Sequence, residues 1–358
     1  MKILTIVSSP GPAESIGLLV KKMRESSQEA ELINVSNDIT DSRVKGVTSG
    51  SGKIFERMHL DYKEASFFGH IENYFNIPIT FADKIIDKVR PQKVLTGTYR
   101  DPSGLKMTLE DAIILSARRR KILAYQYVDL WDNWFPKKER KIIPDVFLVH
   151  DTIGKELIKK RGGIKDGQIV TVGSPALEDF IQKRLDSKIF KKSDFGLDNK
   201  RVIAYFGQCS PIRNDISLPW VINILRGNDL LIFSQHPRDN RNYDNYLKNP
   251  QVKQLNIHSD GLLDFADICI THTSMMGIKA DFLGIKTINI ILENEFAELL
   301  SLCGRYPLDL MGGSQQVKDE LELKKAIEND FTVSDNFKRM LQELRSHNAL
   351  GEIIKILE

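Results

Sequence analysis

Asp129 and Asp132 flank Trp131, with Trp134 following, in the hexapeptide Asp129-Leu130-Trp131-Asp132-Asn133-Trp134. A carboxylate beside an acceptor hydroxyl can act as a general base, and indole faces suit the apolar faces of a sugar or a base. Two of the three tryptophans fall here, which ranks this segment above the other acidic clusters. The competing reading is that the indoles fill the core and the carboxylates are solvated.

A second group of segments suits anions. In Ser234-Gln235-His236-Pro237-Arg238, His236 can donate to a phosphate and Arg238 adds a fixed cationic fork. In Thr271-His272-Thr273-Ser274-Met275-Met276-Gly277, the hydroxyls of Thr273 and Ser274 and the backbone near Gly277 meet a helix start, which favours an anion. Thr273 or Ser274 is equally suited to be the N-cap of that helix. Gly207-Gln208-Cys209-Ser210 is placed for backbone contact with a phosphate. Ser8-Ser9-Pro10-Gly11-Pro12 is its counterpart near the N-terminus, with Ser9 and Gly11 as ligand-facing candidates. Gly97 and Thr98 of Thr96–Asp101 could admit a sugar hydroxyl, each weighed against an ordinary tight turn.

These segments matter because of where the pattern puts them. Short apolar runs alternate with amphipathic stretches: strands are predicted at Lys2–Val7, Ala30–Asn34, Lys93–Thr96, Ile122–Tyr127, Asp145–Val149 and Gln168–Val172. Helices are predicted at Ser15–Glu25, Ile79–Val89, Leu109–Arg120, Thr152–Arg161 and Ala176–Arg184, and Asp38–Lys53 reads as a loop. After a charged, aperiodic stretch, Leu185–Lys200, the pattern restarts. Strands follow at Val202–Phe206, Asp229–Ser234, Leu255–His258, Ile268–Thr271 and Thr287–Ile291. Helices follow at Leu218–Leu225, Leu262–Phe265, Ser274–Leu283, Leu321–Glu328, Phe337–Glu343 and Leu350–Leu357. Such alternation argues for parallel sheets covered by helices, with ligands beyond the carboxyl ends of the strands. The expected organisation is a Rossmann-like acceptor domain over residues 1–185 and a nucleotide- or phosphate-binding one over 200–335. The closing helices, 336–358, are candidates to cross back to the first.

Composition narrows the classes. The 358 residues suffice for two domains, 41% of them are hydrophobic and 28% charged, and the formal net charge is +3. Near-balance gives no global case for a nucleic-acid partner. Cys209, Cys269 and Cys303 are few and far apart, which fits reduced thiols rather than a disulfide framework or zinc site. The apolar run Ile3–Val7 is too short for a signal-peptide core, so a cytoplasmic protein is expected, with peripheral contact at the inner face of a membrane left open. A homodimer is compatible with the sequence. No GxGxxG, Walker, HExxH, GxSxG or EF-hand motif occurs, so neither a nicotinamide cofactor nor a resident metal is expected.

Several stretches together resemble a known superfamily. They are Asp145–Val149 with Thr152–Arg161, Val172-Gly173-Ser174-Pro175 with Asp179, His236-Pro237, and Ala266-Asp267 through Gly284 with Lys279-Ala280-Asp281. The arrangement is similar to the nucleotide-binding domain of GT-B-type glycosyltransferases and of UDP-N-acetylglucosamine 2-epimerases, both hydrolysing and non-hydrolysing. The resemblance implies an α/β fold of two Rossmann-like domains facing across a cleft. It also implies a donor diphosphate at the helix start near Ser274. Lys279 occupies the position of the family's ribose-binding Glu, and Thr287 that of a family proline. The first loop lacks the epimerases' Arg-Pro-Glu pattern.

The leading expectation is a metal-independent glycosyltransferase without a cofactor, using a nucleotide-sugar donor and a saccharide or lipid-linked acceptor in polysaccharide or glycoconjugate synthesis. In it Asp129 or Asp132 is the base, and His236, Arg238 and the helix at Ser274 stabilise the leaving diphosphate; Lys279 could instead neutralise a diphosphate or a phosphosugar. The alternatives are a sugar-nucleotide 2-epimerase or hydrolase, a polyol-phosphate transferase such as a glycerophosphotransferase, and a non-catalytic nucleotide-binding protein.

Overall fold

The computed structural model describes residues 1–34, 50–69, 76–99, 105, 107–129, 131, 134, 142–208, 211–236, 239–292, 300–301, 303–330 and 332–358. By internal packing the chain divides into two units: Met1–Glu178 with His347–Glu358, and Asp179–Ser346.

The first unit is built on seven strands: β1 (Lys2–Val7), β2 (Glu29–Asn34), β3 (Lys63–Glu64), β4 (Lys93–Thr96), β5 (Leu123–Val128), β6 (Val146–Val149) and β7 (Ile169–Thr171). Their order is β3-β2-β1-β4-β5-β6-β7, and every neighbouring pair is parallel. β1 is apolar nearly throughout because both its faces are covered. On one side lie Ile16, Leu19, Val20 and Met23, a one-face stripe of helix Pro10–Glu25, together with Ile353 and Leu357 of the closing helix Ala349–Leu357. On the other lie Ala82, Ile85, Ile86, Ala112 and Ile113 from helices Ile79–Val89 and Leu109–Arg119. Glu178 anchors the closing helix: it pairs with His347 Nδ1 at 2.7 Å and accepts from the Ala349 N–H at 2.9 Å.

The second unit has six strands: β8 (Arg201–Phe206), β9 (Asp229–Ser234), β10 (Val252–Lys253), β11 (Ile268–Thr271), β12 (Lys286–Ile290) and β13 (Gln315–Val317). Their order is β10-β9-β8-β11-β12-β13, again all parallel. Two parallel-sheet α/β domains are therefore present, as the alternation predicts.

Four local readings are corrected. The first helix begins at Pro10 rather than Ser15, because Pro at the first helical position has no N–H to leave unpaired. Helix Gly50–Arg57 covers part of the expected loop Asp38–Lys53, whose residues 38–49 lie outside the described ones. Helix Pro211–Asn223 starts seven residues before the predicted Leu218 and carries Pro219 inside it. Leu255–His258 is not a strand: pairing occurs at Val252–Lys253, and His258 caps helix Ser259–Leu262. Leu185–Lys200 opens on the last two residues of helix Pro175–Asp186 and packs within the second unit. There Asp264 accepts from the Ile189 and Phe190 N–H groups, each at 3.1 Å, and pairs with Arg184. Among the described residues no helix is long and apolar enough to cross a membrane. Cys269 and Cys303 are free thiols, and Cys209 lies outside the described residues.

Candidate functional site

In the second sheet the strand order reverses between β8 and β11. Ligands of open parallel sheets sit beyond the carboxyl ends at such a point. Gly207 and Gln208 follow β8 there, and His272, Thr273 and Ser274 follow β11. Ser274 is the N-cap of helix Met275–Phe282: its backbone is extended (φ −100°, ψ 147°) and its Oγ accepts from the Met276 N–H at 3.2 Å. The partial positive charge of the helix start therefore faces the reversal point.

A buried polar network fixes the loop after β8. Asn214 accepts from the Gln208 N–H at 2.9 Å through Oδ1, and its Nδ2 donates to the Gln208 carbonyl at 2.8 Å. The same Nδ2 donates to Asp239 at 2.9 Å, and the Tyr243 hydroxyl donates to Asp239 at 2.6 Å. The His272 ring is fully buried, with Nε2 at 2.9 Å from Ser217 Oγ. Burial, helped by the charge of Arg213, pushes its pKa down to about 3, so the imidazole is neutral near pH 7. His236 is half-buried on the adjacent loop, where its carbonyl accepts from the Asp239 N–H at 2.8 Å. Pro237 and Arg238 lie outside the described residues.

Lys279 is committed within this unit. Its ammonium meets Asp260 at 2.9 Å and sits 4.5 Å from the centre of the Phe180 ring. The two glycines serve packing. A Cβ at Gly277 would lie 2.8 Å from Thr271 Cγ2, and one at Gly207 would lie 3.0 Å from Phe233 Cε2.

In the first sheet the reversal falls between β1 and β4. Here the carboxyl ends carry acid. Ser8 donates to Glu110 through its N–H, at 3.0 Å, and through its hydroxyl. Ser9 is the N-cap position of helix Pro10–Glu25, without a side-chain cap bond. Asp129, 1% exposed at the end of β5, accepts from Thr98 Oγ1 at 2.9 Å. Its other oxygen is so close to Gly11, in the first turn of that helix, that a Cβ there would lie 1.8 Å away. The helix dipole favours negative charge at that spot. Gly97 makes room for the Pro12 ring, 2.7 Å from where its Cβ would be, instead of for a ligand.

The tryptophans are core residues, which corrects their reading as a sugar platform. Trp131 is 6% exposed and donates from Nε1 to both oxygens of Asp151, the N-cap of helix Thr152–Gly162. Trp134, also 6% exposed, packs edge-on against Phe147 with ring centres 4.9 Å apart. Asp132 lies outside the described residues.

No protein-family model matches the chain, and no curated protein matches it either. Solved structures do. The UDP-GlcNAc 2-epimerase of Methanocaldococcus jannaschii, in complex with UDP-GlcNAc and UDP, is similar at 14% identity and TM-score 0.67, over 100% of this chain and 99% of that one. The enzyme of the same name from Neisseria meningitidis, bound to UDP-GlcNAc, is similar at 14% identity and TM-score 0.64, over 100% and 99%. The glycotransferase of kitacinnamycin is similar at 13% identity and TM-score 0.63, over 99% and 98%. The chain has a GT-B-like fold.

Within this GT-B-like fold the reversal points gather most of the described candidates: Gly207, Gln208, Thr273 and Ser274 on the second sheet, and Ser9, Gly11, Gly97, Thr98 and Asp129 on the first. They exclude Trp131 and Trp134. Glu110, Asn214 and Asp239, which sequence reading passed over, organise the loops around them. Asn214 and Asp239 had a weak signal in their nearness to Gly207–Ser210 and His236. Glu110 had none, since an acid in a first helical turn ordinarily faces water.

Proposed function

We propose that this protein is an enzyme of nucleotide-sugar chemistry, and that its reaction is glycosyl transfer from a nucleotide-sugar donor to an acceptor hydroxyl. The observation that carries the reading is the capped start of helix Met275–Phe282 at the reversal point of the second sheet. A diphosphate there meets a positive helix end and the Ser274 and Thr273 side chains. Asp129 of the first unit is the general base in this reading, with Thr98 donating to one of its oxygens. Full-length likeness to structures that hold UDP or UDP-GlcNAc supports a uridine donor.

The second reading is 2-epimerisation of a UDP-sugar, favoured by the likeness to the two epimerases. Against it stands the Pro10-Gly11-Pro12 helix start, where the epimerases' Arg-Pro-Glu pattern is lacking. One experiment separates them. The protein is incubated with UDP-GlcNAc alone and followed by NMR. Interconversion at C2 without an acceptor establishes epimerisation. An unchanged sugar, together with a thermal shift by UDP or UDP-sugars, supports transfer. Absence of any shift across a panel of nucleotides and nucleotide sugars, CDP-glycerol included, overturns both.

A further inference from the structure

Beside helix Met275–Phe282 the second unit buries a group of oxygen atoms of which several have no hydrogen-bond partner. Asp281 lies in the last turn of helix Met275–Phe282 and is 1% exposed; Asn289, on β12, is fully buried. Asp309 lies on helix Pro307–Met311, and Ser314 immediately precedes β13. One chain of bonds joins three of them. Asn289 Nδ2 donates to the Ser314 hydroxyl at 2.6 Å, and that hydroxyl donates to Asp309 Oδ1. Both oxygens of Asp281, Oδ2 of Asp309 and Oδ1 of Asn289 are buried with no hydrogen-bond partner. The nearby Thr287 hydroxyl donates to the Ile285 carbonyl at 3.0 Å.

The backbone is cut away beside these atoms. A Cβ at Gly313 would lie 2.7 Å from Asp281 Oδ2, and one at Gly277 would lie 3.3 Å from Asn289 Oδ1. Buried carboxylates without donors or counter-charge are unfavourable. Burial pushes Asp281 well above the usual carboxylate range, against a smaller opposing influence of the Thr287 hydroxyl and with the charge of Asp309 adding to it. Asp309 itself is pushed up to about 6 by burial, against the smaller opposing influence of Ser314, Asn289 and Arg305.

We propose that Asp281, Asp309, Asn289 and Ser314 hold a hard divalent cation, Mg²⁺ or Ca²⁺, between helix Met275–Phe282 and strands β12 and β13. Two carboxylates balance its charge, and carboxylate, amide and hydroxyl oxygens are the ligands such ions prefer. Among the described residues no group of three His, Cys, Asp or Glu side chains could hold a metal; here two carboxylates are completed by neutral oxygens. Cysteine and histidine are absent from the set, which disfavours zinc. The ion ties down the far end of the helix that Ser274 caps. This inference is independent of the sugar reading.

The test is elemental analysis of the protein purified without chelator, then melting after unfolding and refolding in EDTA, with Mg²⁺, Ca²⁺ or K⁺ added at equal ionic strength. About one divalent ion per chain is expected, as is a Tm rise of roughly 5–10 °C at a hundredfold excess over Kd. K⁺ should give none. Asp281→Asn and Asp309→Asn should abolish the divalent response while Asp129→Asn keeps it. A wild-type protein with no stoichiometric ion and a Tm indifferent to divalent cations overturns the proposal and assigns protons to the pair. If the Asn variants fail to fold, the wild-type ion content and melting decide alone.

Discussion

The two sheets share one strand order around their reversal points, yet their carboxyl ends differ in kind. In the first unit the space beyond β1, β4 and β5 is filled by acid: Glu110 holds Ser8, and Asp129 presses on Gly11 at a helix start. In the second unit the loop after β8 is held by an amide, with the buried Asp239 carboxylate bonded to that amide and not to the loop. Asn214 pins Gln208, His272 is uncharged, and the helix start is capped only by a serine hydroxyl. A helix start already facing a carboxylate repels a phosphate; one capped by a hydroxyl does not. Equivalent topology thus leaves the chemistry to a few buried side chains, and the contrast is what the proposed reading rests on when it gives proton transfer to the first unit and anion binding to the second.

The largest expected effect comes from the acid side. Asp129→Asn should lower kcat by about 10²–10⁴-fold while leaving donor binding, read by calorimetry, within a few-fold of wild type. Lost donor affinity with unchanged kcat would reverse the assignment. Next, Trp134→Ala should destabilise the first unit by about 3–5 kcal/mol, because it empties a packed site against Phe147. Denaturant melts should show this, with UDP still protecting the second unit from proteolysis.

A third outcome concerns pH. Unfolded His272 titrates near the ordinary value of about 6.5, whereas folded His272 is depressed to about 3. The native state binds fewer protons, so its contribution is full above about 6.5 and is lost as pH falls towards 3. Tm measured from pH 8 to pH 4 should decline on the acid side, and the second unit should lose protection against hydrogen exchange in step. A flat profile there would show that the ring reaches water. The smallest effect belongs to Ser274→Ala, expected to cost about 1 kcal/mol of stability and to weaken diphosphate binding more than kcat.

Much of the fold was legible because buried parallel strands carry runs of apolar residues, as within Lys2–Val7 and Asp229–Ser234. What escaped was punctuation and pairing. Pro10-Gly11-Pro12 looks like a turn by composition, but proline is also at home in a helix's first turn. Gln315–Val317 has two glutamines among three residues and pairs only because β12 offers it an edge. At the site, loop positions were readable as strand ends, while side-chain commitments were not. The same tryptophan type that would stack on a sugar also fills a core, and Lys279 carries no mark in sequence of its distant partner Asp260.

The closing helix gives the molecule a particular order of assembly. Ile353 and Leu357 complete the core against helix Pro10–Glu25, so the unit that begins at Met1 is finished only by residues after Ser346. During synthesis the whole of Asp179–Ser346 leaves the ribosome before that last piece arrives. The second unit can therefore mature while the first still waits, open-cored, for its final helix, and a nascent chain stalled shortly before Ala349 should already display a folded second unit beside an unfinished first one.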